Sequence, residues 1–161
     1  MKNRIVSFFS LILFINYSCS SNDSNTEKTF LCCGENKFQS KNIDKLDQKA
    51  GKINVIKVFT PNDDAYNDCF QVENLNKYSF NSLTIYDLKD NILFTTENYG
   101  ETNYFCGDNI NSGTLKYKLV VENEQTFVEF GYVCLVKTVE DGKVFSAETE
   151  CTFPFYDPII F

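Results

Sequence analysis

The sequence predicts an all-β protein, an antiparallel immunoglobulin-like β-sandwich of about seven strands, on three observations. From Ile53 onward apolar residues recur with a period of two, in the runs INVIKVF, CFQVEN, SLTIYDL, ILFTT, LKYKLVVE, TFVEFGYVCLVK and KVFSAETECTF. Such alternation is the mark of half-buried strands. Turn-forming pairs interrupt the runs: Asn123-Glu124 and Asp141-Gly142 read as hairpin turns, the second with the composition of a type I′ turn. No helical period of useful length separates the strands, so the crossovers of a parallel sheet have no source.

Ahead of the strands, Lys2 and Arg4 precede an apolar stretch over residues 5–15 and the small-residue junction Tyr17-Ser18-Cys19. This order predicts a signal peptide over residues 1–18. The stretch is too short for a spanning helix, which takes about 20 residues. Ser18-Cys19 resembles a bacterial lipoprotein processing site, so Cys19 is the predicted lipidation residue and the protein is anchored to a membrane without crossing it. The alternative is an ordinary cleaved signal with an incidental cysteine, since Asn16 fits the lipoprotein pattern poorly. Residues 19–29, polar and aromatic-free after the cysteine, form the predicted tether. In the extension over residues 30–52, Ile43, Leu46 and Ala50 have the spacing of one short helix. The sandwich is expected over 53–152, with an apolar tail over 153–161.

Acidic residues outnumber basic ones 22 to 15, for a net charge of −7. With no block of Lys and Arg, the chain lacks the means to displace counterions from nucleic acid. Attraction to anionic headgroups is disfavoured on the same ground, leaving the lipid as the only predicted membrane link. Sixteen Phe and nine Tyr can fill one core without Trp.

With Cys19 acylated, six cysteines remain: Cys32, Cys33, Cys69, Cys106, Cys134 and Cys151. An even number in an exported chain predicts disulfides, with 15 connectivities open. Free thiols are the alternative. A zinc site is disfavoured, because histidine is absent and the only close pair is the vicinal Cys32-Cys33.

The segment FTPNDDAYNDCF, residues 59–70, is the densest polar feature. Pro61 fixes φ and the Asx residues bond their own backbone, so a rigid acidic loop entering a strand is expected. Asp63, Asp64, Asn67 and Asp68 could supply oxygens to calcium, the one cofactor the sequence suggests. The plainer reading is an Asx-rich turn facing water. Catalysis is not expected: without His a Ser or Cys nucleophile lacks its usual base, and no Gly-x-Ser-x-Gly elbow occurs. Acidic pairs alone do not make a glycosidase, which needs a cleft and a fixed carboxylate separation. Tyr86, Tyr99, Tyr104, Tyr117 and Tyr132 are candidates for a polysaccharide-binding platform, or else half-buried sandwich residues.

The same acidic loop resembles the PNGDGxND signature of the gliding-motility-associated C-terminal domain, the type B sorting module of type IX secretion. Further blocks follow in order. QVENLNKY is similar to the family's IxNLxxY, and SLTIYDLKDNILF to LxIFNRWGNxVY. Tyr99 and Phe105-Cys106-Gly107 stand where the family has Tyr and then WDG; SGTLKYKL and GYVCLVK match xGTYYYxL and GYVxLLR. The resemblance covers about residues 53–137 and implies the same sandwich. The departures are specific: Asp64 and Ala65 replace the loop glycines, Leu88, Lys89 and Asp90 replace Arg, Trp and Gly, and Phe105 and Cys106 replace Trp and Asp.

The resulting expectation is a non-enzymatic, lipid-anchored envelope protein at the outer membrane, on its periplasmic face or at the cell surface. Its Ig-like domain would bind an envelope protein and be linked to gliding motility or type IX secretion. A secreted type IX cargo and a small glycan-binding or hydrolytic domain are the alternatives. Residues 138–161 extend past the last family block, so the module is expected to be the folded domain of a small lipoprotein. In the tail, Phe153, Phe155, Tyr156, Ile159, Ile160 and Phe161 crowd around Pro154 and Pro158, which forbid a central strand. They either cover the sandwich or dock into an envelope partner.

Overall fold

A computed structural model describes residues 29–33, 40–78, 80–101, 103–151 and 157–160. The predicted signal peptide, Cys19, the tether through residue 28, and Phe153, Phe155, Tyr156 and Phe161 lie outside the described residues. The strands are β1 (Ser40–Lys41), β2 (Asn54–Val55), β3 (Val58–Phe59), β4 (Val72–Glu73), β5 (Phe80–Tyr86), β6 (Ile92–Glu97), β7 (Gly113–Asn123) and β8 (Gln125–Leu135), followed by the helix α1 (Val139–Glu148). No helix among the described residues is long and apolar enough to cross a membrane.

The large sheet has the order β1-β8-β7-β5-β6, with β3 alongside β8, and β2 pairs with β4 in a second, smaller layer. All pairings are antiparallel except β3–β8. The fold is thus the expected all-β sandwich. The register follows from alternation: Leu115, Tyr117, Leu119 and Val121 of β7 face inward opposite Val133, Gly131, Glu129 and Phe127 of β8. Leu83 and Ile85 of β5 continue the same face beside Leu119 and Tyr117. A one-residue slip would turn this set to solvent, which is why the pattern fixes the pairing. The hairpin expected at Asn123-Glu124 forms, with Asn123 opposite Gln125 and Glu124 left-handed at φ 57°.

The run INVIKVF is not one strand. It changes layer at Ile56-Lys57: Ile56 N donates to Gln71 O in the small sheet, and Lys57 O accepts from Cys134 N in the large one. One short segment therefore stitches the two sheets. Between them lies an aromatic core in which Phe70, Phe59, Phe105, Tyr99 and Tyr117 are at most 5 % exposed. Phe59 meets Phe105 edge-on at 5.7 Å, and Phe70 packs on Tyr117 at 5.6 Å. Gly131 is required here, because a Cβ would come within 2.8 Å of the Tyr117 ring lying across it. The Tyr117 hydroxyl donates to Glu129 Oε1 at 2.5 Å and accepts from Lys57 Nζ at 2.7 Å, so the buried polar groups are paired. Burial, and secondarily the Glu129 charge, push the Tyr117 hydroxyl pKa far up, so it remains a donor.

Three sequence expectations fail: a strand, a hairpin and a helix. KVFSAETECTF does not form a strand: residues 143–148 belong to α1, and Asp141-Gly142 lies in its first turn instead of a hairpin. The start is set by Thr138, whose Oγ1 accepts from Asp141 N at 3.1 Å, with Glu140 and Asp141 favourably placed in the first turn. The glycine serves close approach, since a Cβ on Gly142 would lie 1.9 Å from Ile159 O. The helix expected around Ile43, Leu46 and Ala50 shrinks to one 3-10 turn over Ile43–Lys45. Ile43 and Leu46 are buried as their spacing implies. The Gln48 side chain ends the helix, donating to Ile43 O and accepting from Ile53 N at 2.7 Å.

Candidate functional site

Three features could carry function: the acidic loop, the cystine-bound flank, and a cleft between loop and tyrosines. The loop closes on Asp68. Its carboxylate accepts from the backbone N–H groups of Asn62, Asp63 and Ala65 at 2.9–3.0 Å. Asp64 accepts from Tyr66 N and from the Asn62 amide, while Asn67, 7 % exposed, gives its carbonyl to Thr60 N. The carboxylates of Asp64 and Asp68 are thus engaged by amides, while that of Asp63 has no hydrogen-bond partner among the described residues. Asp63, Ala65 and Asn67 all have positive φ, at 62°, 70° and 51°. The alternation corrects the assignment of the lost loop glycines: they fall at Asp63 and Ala65, and Asp64 keeps the signature aspartate. Asp90, where the second motif has glycine, is also left-handed at φ 69°. Three positions where the motifs have glycine are thus left-handed here without one.

All six cysteines pair, as Cys32–Cys134, Cys33–Cys151 and Cys69–Cys106. The third closes the loop's exit onto the segment holding Phe105 and Gly107. The second joins the segment ahead of the sandwich to the one following α1, and the first ties that same leading segment to Cys134 on the outer face of β8. There Val58, Cys134 and Val136 turn away from the main core and are covered by Phe30, Phe145 and Ile159, a second small core. Phe30 meets Phe145 edge-on at 5.3 Å. Glu148 Oε2 accepts from Thr29 N and Phe30 N, both at 2.9 Å, and Thr114 Oγ1 accepts from Leu31 N. Asp141 is held by Ser112 and Thr138 hydroxyls at 2.6 and 2.8 Å, which lower its pKa. Of the tail, Asp157 is buried and accepts from the Thr60 hydroxyl at the root of the acidic loop; Ile159 is buried and Ile160 half-buried in the second core. Sequence reasoning missed this strap. Its one legible sign was the vicinal cysteine pair, which no spacing rule could assign.

Of the candidate platform tyrosines, Tyr99 and Tyr117 belong to the core, and Tyr86 and Tyr132 are half-buried. Tyr104 alone is exposed, at 50 %. Its hydroxyl donates to Gly100 O and its ring stands 5.9 Å from Tyr99. It lines an open cleft of about 470 Å³ with Asp68, Gln71, Glu73 and Asn76. Among the described residues, the one cluster of Cys, Asp and Glu with metal-ligand spacing is Cys32, Cys33 and Cys151. Two of these sulfurs form one disulfide and the third is bonded to Cys134.

The fold and loop define the class: an immunoglobulin-like sandwich entered through an Asx-rich turn. The family model described as CHU_C type IX secretion signal domain matches residues 53–135. The chain belongs to this family, and the matched span runs from the stitching segment to the end of β8. Neither the curated proteins nor the solved structures searched contain a match to it.

Proposed function

We propose that the protein is a non-enzymatic, lipid-anchored envelope protein that reaches the outer membrane or cell surface and there presents its sandwich as an interaction domain. The family membership supports a link to type IX secretion sorting. The observation that carries the finer reading is the double cystine strap: outside the matched span, the preceding segment is bonded to the last strand through Cys32–Cys134 and the following segment is bonded to the preceding one through Cys33–Cys151. That is the build of a durable folded domain more than of a tag on a mobile linker. The anchor rests on Ser18-Cys19. Mass spectrometry of the native protein should find an acylated N-terminal cysteine, and Cys19→Ser should release it from membranes. A variant that stays membrane-bound, or a mature form lacking Cys19, refutes the anchor and favours the secreted-cargo reading.

A further inference from the structure

We propose that the cleft beside the acidic loop binds a neutral hexose polymer, with Tyr104 as its stacking wall. Two independent features of the cleft point to a sugar. Tyr104 leaves half its surface in water although the fold offers a packed aromatic core, and its hydroxyl bond to Gly100 O and its contact with Tyr99 hold the ring in place. A fixed aromatic face, negative at its centre, attracts the weakly positive C–H face of a pyranose. In the same cleft the side-chain amides of Gln71 and Asn76 make no hydrogen bond among the described residues, and each offers the donor and acceptor that a pair of sugar hydroxyls needs.

The charge selects against other ligands. Asp68 and Glu73 line the cleft and, among the described residues, no Lys or Arg does, so acidic glycans and phosphates are repelled. A peptide adding to the sheet would need a longer template than β4, which has two residues. The volume of about 470 Å³ lies within the range of small-ligand sites, roughly 300–1,000 Å³. The cleft is braced by the Cys69–Cys106 disulfide and by Asp68, which holds the loop while lining the opening. It is therefore formed before any ligand arrives.

The test is titration of the full chain with cellohexaose, maltohexaose and mannohexaose up to about 10 mM, a range that reveals even weak binding. Tyrosine fluorescence and NMR line shifts read the result, with polygalacturonate as the acidic counterpart. At least one neutral polymer should bind saturably. Tyr104→Ala should weaken it roughly tenfold, the scale of one aromatic contact. Tyr104→Phe should keep most of the affinity, which separates lost stacking from a disturbed fold. Tyr66→Ala, also exposed but not lining the cleft, should change nothing. The proposal is overturned if none of the three neutral polymers binds, if polygalacturonate binds as well as they do, or if Tyr104→Ala binds as tightly as the unaltered chain.

Discussion

The two apolar regions of the molecule are built on different principles. Between the sheets, Phe59, Leu83, Leu119, Tyr117 and Val133 of four strands, together with Phe70, form a contiguous core held chiefly by packing, with one disulfide at its margin. On the outer face of β8, Phe30, Val58, Val136, Phe145 and Ile159 form a core a fraction of that size, and two disulfides tie it down. A small cluster cannot bury enough apolar surface to offset the entropy of ordering a helix and two chain segments. Covalent links that limit the unfolded chain supply the difference. The contrast also separates what the family provides from what this chain adds, because the matched residues 53–135 contain nearly all of the first core.

The sharpest contrast should come from one truncation in each region. Leu119→Ala, at a fully buried site in the main core, should cost about 2–5 kcal/mol and lower the melting temperature of the whole domain. Phe145→Ala removes a larger side chain, yet calorimetry should show a smaller loss confined to the helix and the residues it covers. Equal global losses would mean that the two cores are one cooperative unit.

In the acidic loop, Asp68→Asn should cost about 1.5–3 kcal/mol, because one carboxylate accepts from three amides. Urea unfolding measures this. Thermal unfolding with and without calcium tests the calcium reading of Asp63, Asp64, Asn67 and Asp68. A rise in melting temperature with calcium, abolished by Asp64→Asn, would assign the loop to a metal, whereas an unchanged midpoint leaves a structural turn.

A smaller effect with the opposite sign is expected at Ala65, held at φ 70° with no side chain able to bond its own backbone. Ala65→Gly should stabilise by about 0.5–1 kcal/mol by relieving left-handed strain. Destabilisation would show that the alanine methyl has a packing role.

The smallest expected effect is on pH dependence in the flank. Asp141 has its pKa lowered below 3.8, first by the Ser112 hydroxyl and then by Thr138. A depressed carboxylate contributes stability that is present above its unfolded pKa and lost as pH falls through the folded one. Amide exchange of α1 should therefore quicken below about pH 3.8, and Asp141→Asn should remove that pH step.

The division between the regions also governs what could be read from the chain. Period-two runs announced β5 through β8, because a sandwich strand writes its burial into alternate residues. The loop was legible through Pro61 and its Asx cluster. The strap was not. The stretch KVFSAETECTF alternates like a strand, but a cap at Thr138 and the demand for a glycine against Ile159 override the alternation. Cysteine pairing depends on where the flanks meet β8 and each other, and that is a tertiary fact. Likewise Tyr99 and Tyr104 look alike in sequence, and only the fold makes one a core residue and the other the wall of a cleft.

The central claim is that packing holds the sandwich and covalent links hold the flank. Its most direct test is hydrogen–deuterium exchange on a variant with Cys32, Cys33, Cys134 and Cys151 all changed to alanine and Cys69–Cys106 intact. The account predicts fast exchange at residues 29–33 and 139–148 with protection of β5, β7 and β8 retained. Loss of protection in those three strands together with the flank would contradict it.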